Sequence, residues 1–211
     1  ISKTRIVAGG RTTVSQQIVR VDKESKEPMG KAQEQQLEEY LKQVLPQVKG
    51  VVLSDYGSGT IMDKLLGQIF AYCQEHNIPT IVDSRYDILR FKTVDYIKQN
   101  DAELSAAIGR DLATEEELVQ GGCELLVKMS AKGALITRGE DGMSLFQIIS
   151  PQEAADYLKS QEVSGSGEAG QFREGLTVKL VVKRQTGRLS VVQELISYQD
   201  RDILVSHIPV T

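Results

Sequence analysis

Residues 50–83 read GVVLSDYGSGTIMDKLLGQIFAYCQEHNIPTIVD. The first six residues predict a short buried strand, and a glycine-rich turn follows it. Apolar side chains then recur at helical spacing from Ile61 to Cys73, and residues 80–83 predict a second buried strand. A strand, a helix and a second strand in this order form a right-handed crossover between parallel strands. This stretch therefore predicts an α/β fold.

The alternation of helix and strand continues on both sides of this unit. Upstream, apolar residues at helical spacing between positions 32 and 48 predict a helix. Downstream, residues 96–97 predict a strand, and a capping box at Thr114–Glu117 opens a helix that runs to about Met129. Residues 1–146 are therefore predicted to form a layered α/β core.

The two ends of the chain follow a different pattern. The β-rich residues 4–21 predict a two-stranded ribbon. Residues 147–211 predict a linker, a β-hairpin within residues 170–205 and a returning strand, and we expect this hairpin to pack little against the core. A lone hairpin is marginal in water and needs a surface to cover its apolar face. That surface could be the first ribbon, a second copy of the chain, or the sugar site with the hairpin as a lid. We favour the second copy, which predicts a homodimer. The terminal residues fall in strand-like patterns, so we expect a segment of a longer protein.

The composition excludes several functional classes. The chain has 211 residues, of which 40% are hydrophobic and 26% are charged, with a formal charge of -4. This acidic balance gives no electrostatic case for nucleic acid or an anionic membrane surface as a partner. The sequence contains no apolar run of membrane-spanning length. Cys73 and Cys123 form no ligand-spaced cluster, and we expect reduced core thiols in a cytoplasmic protein.

Residues 134–146 read ALITRGEDGMSLF and form the candidate ligand turn. They predict a short strand, a polar turn with Gly139 and Gly142, and a second strand. Such a turn can direct several backbone N–H groups at an anion such as a phosphate. Thr137 would add a hydroxyl at the carboxyl end of the first strand. The same residues also fit an ordinary hairpin with Asp141-Gly142 as the turn dipeptide, and both interpretations remain open.

Four short motifs follow one another in a characteristic order. They are VLSDYGSG at 52–59, IVD at 81–83, NDAE at 100–103 and ITRGEDGM at 136–143. In this order they resemble the motifs of the ribokinase-like (PfkB) family of sugar kinases, and within it those of the heptose-phosphate kinases. The resemblance covers residues 3–146 and the HIP sequence at 207–209. It implies a three-layer α/β/α, Rossmann-like fold that transfers the γ-phosphoryl group of ATP to a hydroxyl of a sugar or sugar phosphate.

The resemblance also implies roles for particular residues. The family's Thr-x-Gly-x-x-Gly turn lies along the nucleotide phosphates, and here it consists of Thr137, Arg138, Gly139, Glu140, Asp141 and Gly142. The family's Asn-x-x-Glu motif corresponds to Asn100 and Glu103. Glu103 is expected near Mg²⁺ and its waters, a suitable place for a carboxylate oxygen. The same pair also fits a capping box for the helix that follows.

Three residues are assigned to the substrate side. Asp55 and Tyr56 end a strand at the carboxyl edge of the predicted sheet, where ligands of such sheets bind. The structural alternative for them is a turn residue and a packed ring. Arg85 keeps a cation where the family has Asp-Pro-Lys, while Ser58 replaces a lysine that usually follows in the preceding loop. These departures bear on the identity of the substrate.

The catalytic base is not identified in this sequence. The resemblance implies a Gly-Ala-Gly-Asp motif, whose aspartate takes the hydroxyl proton, and we expect it beyond Thr211. An internal alternative is Glu168 in the Ser164–Glu168 loop, although the residues after it predict a strand rather than a helix. His207 lies in a predicted strand with no visible acid or nucleophile partner. We therefore expect this segment alone to be inactive.

Two functions fit these observations. The first is the nucleotide-binding portion of an ATP-dependent sugar kinase, which the intact Thr137–Gly142 turn and the Asn100/Glu103 pair favour. The second is a non-catalytic, kinase-like scaffold that binds a partner through the β-hairpin. Ser58, Ser84 in place of the family's proline, the intruding hairpin and the missing base favour this second function.

Overall fold

A computed structural model describes residues 2–9, 15–23, 29–164, 167–169, 172–173, 175–186 and 189–210. The strands are β1 (Ser2–Ala8), β2 (Gln16–Lys23), β3 (Val51–Asp55), β4 (Thr80–Ser84), β5 (Tyr96–Asn100), β6 (Gly133–Thr137), β7 (Met143–Ile149), β8 (Gly167–Ala169), β9 (Phe172–Arg173), β10 (Leu176–Thr186), β11 (Leu189–Tyr198) and β12 (Arg201–Ile208). The helices are α1 (Lys31–Val44), α2 (Asp63–Glu75), α3 (Asp101–Ile108), α4 (Glu115–Met129) and α5 (Pro151–Ser164). None of these described helices combines the length and apolar character that crossing a membrane requires.

The parallel half of the sheet consists of β3, β4, β5 and β6, which are neighbours in that order. Helix α2 connects β3 to β4, and these two strands pair in parallel, so the predicted crossover is confirmed. The last residues of the four strands are Asp55, Ser84, Asn100 and Thr137. Because the strands run in the same direction, these residues lie along one edge of the sheet, here called the carboxyl edge.

The antiparallel half continues the same sheet. Strand β7 folds back on β6, β12 pairs with β7, and the hairpin of β10 and β11 extends the sheet from β12. Strands β8 and β9 both pair with β10. Strands β3 to β12 therefore form one ten-stranded sheet. Within it β12, from the end of the chain, lies beside β7, the strand that follows the candidate ligand turn.

Helices cover both faces of the sheet. On one face, apolar residues of α2, α3 and α4 share a core with Leu53, Val82 and Ile97 of the parallel strands. On the other face, the Tyr157 hydroxyl of α5 donates to Gln193 Oε1 on β11 at 3.3 Å. Gln193 and Ile196 point to opposite faces of β11, because side chains alternate along a strand. The predicted class, an α/β sheet flanked by helices, is confirmed.

The β10–β11 hairpin packs firmly against the helical layer, so the expectation of loose packing is wrong. Leu176, Val178 and Ile196 are almost fully buried and belong to the same core as α4. A Cβ atom on Gly175 would lie 2.9 Å from Nε2 of Gln120 on α4. The apolar face of the hairpin is thus covered by α4 of the same chain. The homodimer and the division of the chain after residue 146 stay predictions.

The ribbon of β1 and β2 is confirmed and forms a small sheet of its own. All of its strand residues are exposed, including the large apolar side chains of Ile6, Ile18 and Val21. The ribbon therefore gains its order from strand pairing rather than from burial in the core.

The two cysteines are buried and free, in agreement with the predicted core thiols. Burial raises the pKa of Cys123 to about 12, with a further contribution from the charge of Glu194. At neutral pH this thiol is protonated, so it behaves as a packing residue rather than as a nucleophile.

Candidate functional site

The turn between β6 and β7 is closed by its own backbone. Gly139–Asp141 form a single 3₁₀ turn. The Arg138 N–H donates to the Gly142 carbonyl oxygen at 2.8 Å, and the Asp141 N–H donates to the Arg138 carbonyl oxygen at 3.0 Å. The flanking strands pair antiparallel, so the hairpin interpretation is confirmed. The N–H groups of Gly139 and Glu140 form no backbone hydrogen bond within the described residues, so this hairpin geometry also leaves donors for an anion.

Gly142 is required by a close approach as well as by its backbone angle. Its φ of 89° lies in the left-handed region, which disfavours residues with a Cβ atom. A Cβ atom there would also overlap the carbonyl oxygen of Ile208 and lie 2.9 Å from the Cα atom of Pro209. Gly139 has a φ of 55° but open space around it. The end of β12 therefore packs directly against the candidate ligand turn.

Asn100 and Glu103 form a complete capping box at the start of α3. The Glu103 N–H donates to Asn100 Oδ1 at 2.7 Å, and the Asn100 N–H donates to Glu103 Oε2 at 2.8 Å. The capping interpretation is confirmed, and it remains compatible with a ligand role because capping fixes both side chains at the end of β5.

The parallel pairing of β5 and β6 brings the two predicted motifs together. Asn100 is the partner of Thr137 in the strand register. The Thr137 hydroxyl donates to the carbonyl oxygen of Gln99 at 3.4 Å, which ties the end of β6 to β5. The Asn100/Glu103 pair and the Thr137–Gly142 turn are thus neighbours on the carboxyl edge, although they are at least 34 positions apart in sequence (137 − 103 = 34).

Glu103 fits the limited protein ligation that Mg²⁺ prefers. Its Oε2 atom accepts the capping bond, and its Oε1 atom accepts no hydrogen bond from the described residues. Mg²⁺ usually binds one or two carboxylates together with substrate phosphates and several waters. Within the described ranges no group of three or more His, Cys, Asp or Glu side chains converges on one point. The donor set therefore suits a metal that arrives with a phosphate ligand.

Asp55 is buried at the end of β3 and already has several partners. Its Oδ1 atom accepts the Gly57 N–H at 3.0 Å, and its Oδ2 atom accepts the Ser84 hydroxyl at 3.0 Å. The Arg90 guanidinium lies 3.6 Å from the same Oδ2 atom. These bonds fix the loop after β3 against the end of β4, so Asp55 shapes this part of the carboxyl edge.

Tyr56 and Arg85, the other two residues assigned to the substrate side, are exposed. Tyr56 has 67% of its surface accessible, so the packed-ring alternative does not describe it. The Arg85 guanidinium lies 5.8 Å from the centre of the Tyr86 ring, and the same ring sits against Gly57. A cation and two tyrosine rings are therefore available beside the loop that Asp55 holds.

Glu168 lies far from these residues. It is exposed on β8 and pairs with Val181 of β10. Four strands lie between β8 and β6 in the sheet, a separation of about 24 Å at the usual strand spacing. Two residues of the Ser164–Glu168 loop, 165 and 166, lie outside the described residues. In this position Glu168 does not reach the candidate ligand turn.

His207 has acid and hydroxyl neighbours, so the expectation that it lacks such partners is wrong. The Ser144 hydroxyl lies 2.9 Å from Nδ1 of His207, and Glu115 Oε1 lies 3.7 Å from the same nitrogen. A hydrolytic triad needs its nucleophile and its acid on opposite ring nitrogens. The shared nitrogen excludes that chemistry. Glu115 Oε1 also lies 3.5 Å from Nη1 of Arg138, which links this group to the turn.

Sequence reasoning missed Glu115, Ser144 and Arg90 at this edge. The capping box predicted at Thr114–Glu117 is confirmed and places Glu115 at the first turn of α4, but it does not indicate which strand that helix end faces. The pairing of β7 with β12 brings Ser144 opposite His207 from 63 positions away, and no local sequence pattern reports such a contact.

Comparison with known proteins identifies the family. A model described as "pfkB family carbohydrate kinase" matches residues 1–163. The chain belongs to the PfkB family of carbohydrate kinases. This is the family that the order of the four sequence motifs indicated.

Individual relatives of this PfkB chain are longer proteins. Bifunctional protein HldE of Hyphomonas neptunium is 36% identical over 169 residues, which cover 79% of this chain and 34% of that protein. Bifunctional protein HldE of Geobacter metallireducens is 34% identical over 145 residues, which cover 68% of this chain and 29% of that protein. The PfkB chain thus spans about a third of the length of the curated relatives it matches.

Two solved structures resemble this PfkB chain at low identity. Phosphofructokinase-2 from Escherichia coli, in complex with substrates and products, gives a TM-score of 0.48 at 19% identity over 71% of this chain and 55% of its own. Arabidopsis thaliana ribokinase, complexed with ribose and ATP, gives a TM-score of 0.44 at 18% identity, over 68% of this chain and 44% of its own.

Proposed function

We propose that this PfkB chain is the nucleotide-binding portion of a kinase that phosphorylates a hydroxyl of a sugar or sugar phosphate. The observation that carries the proposal is the pairing of Asn100 with Thr137 across β5 and β6. This pairing puts an anion-binding turn and a carboxylate on one edge of a parallel sheet, where ligands of α/β folds bind.

The residues of this edge act by positioning and by charge. ATP supplies the phosphoryl group and Mg²⁺ neutralises phosphate charge, which is most of what phosphoryl transfer requires. The N–H groups of Gly139 and Glu140 hold phosphate oxygens at the turn. The Thr137 hydroxyl joins them by exchanging its long 3.4 Å bond to the Gln99 carbonyl oxygen for one to a phosphate oxygen. Glu103, kept in place by its capping bond to Asn100, would hold Mg²⁺ or one of its waters when the metal binds with the nucleotide.

The substrate side is formed by the loop after β3 and the end of β4. Asp55 holds this loop in place through Gly57 and Ser84. Tyr56 and Arg85 remain accessible for the substrate, and the Arg85 cation suits a sugar that carries a phosphate. We place this activity in the cytoplasm, as part of a protein that also forms a homodimer.

The scaffold alternative depended on the β10–β11 hairpin as a partner-binding surface. The apolar face of this hairpin is covered by α4, with Val178 and Ile196 almost fully buried. That face is not accessible to a partner, so the kinase proposal has the stronger support.

Titration of the chain with ATP and Mg²⁺, followed by amide NMR, tests the proposal. We expect the resonances of Gly139 and Gly142 to shift first, together with Asn100 and Glu103. Adenosine without phosphates serves as the control, since it offers no anion to the turn. Shifts confined to residues 170–205 would contradict the assignment of nucleotide binding to the turn and to the Asn100/Glu103 pair.

Turnover by the chain provides an independent check on the catalytic base. A general base contributes about 10²–10⁴-fold to a reaction of this kind, so we expect no phosphorylation of sugar phosphates above background. Robust turnover that disappears in Glu168→Gln would instead move the base into this chain.

A further inference from the structure

The side chain of Arg138 is held against α4. Arg138 is the residue with which the candidate ligand turn begins, yet its side chain is only 15% exposed. Its Nη1 atom lies 3.5 Å from Oε1 of Glu115, the first residue of α4. A guanidinium held in this way anchors the turn to the helix and is not directed freely at a phosphate.

Glu115 is in turn in contact with β12. Its Oε1 atom lies 3.7 Å from Nδ1 of His207, and His207 is fixed by the Ser144 hydroxyl at 2.9 Å. Ser144 is fully buried on β7, two positions after Gly142. The carboxylate of Glu115 thus lies where α4, the turn and β12 meet, with a cation and an imidazole as neighbours.

The backbone on both sides of Arg138 belongs to the closed turn. The Arg138 N–H and carbonyl oxygen bond to Gly142 and Asp141 respectively. The other end of the turn packs against Ile208. A displacement of Arg138 therefore changes the direction of the Gly139 and Glu140 N–H groups that follow it.

We propose that Glu115 is a positioning residue that fixes the phosphate-binding turn through Arg138. Glu115 itself does not touch the nucleotide. This inference rests on the proposed function, because the ligand of the turn is taken to be the phosphates of ATP.

The direction in which Glu115→Gln changes nucleotide binding distinguishes a positioning role from a simple effect of charge. Glu115 is a negative charge near a site for an anion, so its removal by electrostatics alone would tighten nucleotide binding. Loss of positioning has the opposite effect. Ion pairs of this exposure have modest strength, so we expect Glu115→Gln to weaken binding of ATP with Mg²⁺ by about two- to fivefold.

The experiment measures the dissociation constant of ATP with Mg²⁺ by calorimetry for five chains. They are the unmodified chain, Glu115→Gln, Arg138→Gln, the double variant, and Glu116→Gln as the matched control. Glu116 is exposed beside Glu115 on the same helix turn and is not placed at the site. We expect Glu116→Gln to bind as well as the unmodified chain or slightly better.

The double variant tests whether Glu115 acts through Arg138. In the Arg138→Gln background the carboxylate has no guanidinium to hold, so adding Glu115→Gln should cause no further weakening. The proposal is overturned if Glu115→Gln binds as tightly as the unmodified chain or more tightly. It is also overturned if the two single effects multiply in the double variant.

Amide hydrogen exchange without nucleotide separates this inference from the proposed function. We expect the Asp141 and Gly142 amides to exchange faster in Glu115→Gln than in Glu116→Gln, while amides of β3 and β4 are unchanged. If the unmodified chain binds no ATP, the proposed function fails, and the exchange result alone decides whether Glu115 positions the turn. Equal exchange of the turn amides in both variants would refute the positioning role.

Discussion

The two halves of the sheet are covered by helices in different ways. In the parallel half, β3 is followed directly by α2 and β5 by α3, and both helices pack on the strands they follow. In the antiparallel half, β10 and β11 pack against α4, which lies far earlier in the chain. The first half is built from neighbours in sequence and the second from distant elements.

This difference teaches where a sequence carries its own packing information. A crossover unit contains a strand and the helix that covers it, so its local pattern predicts both. An antiparallel hairpin contains its strand pairing but not its cover, which another part of the chain supplies. We therefore expect the parallel half and the hairpin to be equally well packed, although the local sequence pattern predicts this packing for the parallel half only.

The largest expected effect is that of removing residues 170–205. If the hairpin is part of the core, this deletion uncovers α4 and removes a set of nearly inaccessible apolar side chains: Leu176, Val178, Val182, Leu195, Ile196 and Ile203. At about 1.5–3 kcal/mol for each buried side chain, the lost burial is as large as the usual net stability of about 5–15 kcal/mol. We expect the shortened chain to lose its cooperative thermal transition in circular dichroism.

Light scattering on the same two chains tests the predicted homodimer. If the shortened chain folds, unfolds at the same temperature as the intact chain and has the same oligomeric state, the hairpin is neither a structural support nor an interface.

A smaller and more direct comparison uses one buried isoleucine from each half. Ile97 on β5 is 1% exposed and Ile196 on β11 is fully buried. We expect Ile97→Ala and Ile196→Ala each to lower the free energy of unfolding by about 2–5 kcal/mol, the usual cost of truncating a buried isoleucine. Urea denaturation measures both. A cost for Ile196→Ala well under 1 kcal/mol would support the earlier expectation that the hairpin packs loosely against the core.

The smallest expected effect concerns a polar clamp in the parallel half, at the edge opposite the candidate site. Asp95 accepts bonds from the Thr80 N–H at 2.9 Å and the Thr80 hydroxyl at 3.0 Å, and it pairs with Lys132 at 2.7 Å. Burial alone would raise the pKa of Asp95, but the hydrogen bonds from Lys132 and Thr80 outweigh it and lower this pKa below its usual value. We expect Asp95→Asn to cost about 1–2 kcal/mol at pH 7.

The pH dependence of this cost has a defined sign. Because the folded-state pKa is lowered, the contribution of the carboxylate is present above the ordinary aspartate pKa of about 3.9 and is lost as the pH falls through the lower folded-state pKa. The stability difference between the unmodified chain and Asp95→Asn should therefore shrink below about pH 4. Asp202→Asn, which removes an ion pair with Lys179 from the antiparallel half, is the matched control and should cost less than about 1 kcal/mol. An equal cost for both, independent of pH, would contradict the clamp.

The extent of successful prediction follows the same division. The crossover at residues 50–83, the capping boxes at Asn100 and Thr114, and the turn at Gly139 and Gly142 all have local causes, and each was predicted from sequence. The placement of the hairpin on α4 and the contact between His207 and Glu115 depend on packing across long separations. Residue patterns report periodicity and turn chemistry, and they do not report which distant face an apolar strand will cover.

The contact between Gly142 and Ile208 also bears on the order in which the protein matures during its synthesis. The two residues are separated by 66 positions (208 − 142 = 66), and a ribosome takes roughly 3–13 s to add that many residues. During this interval the turn has left the ribosome, or is leaving it, while the strand that packs against it has not yet been made. Closing so long a loop also slows the docking of that strand. In the nascent chain, the candidate ligand turn is therefore completed only after the parallel strands β3 to β6 have been made.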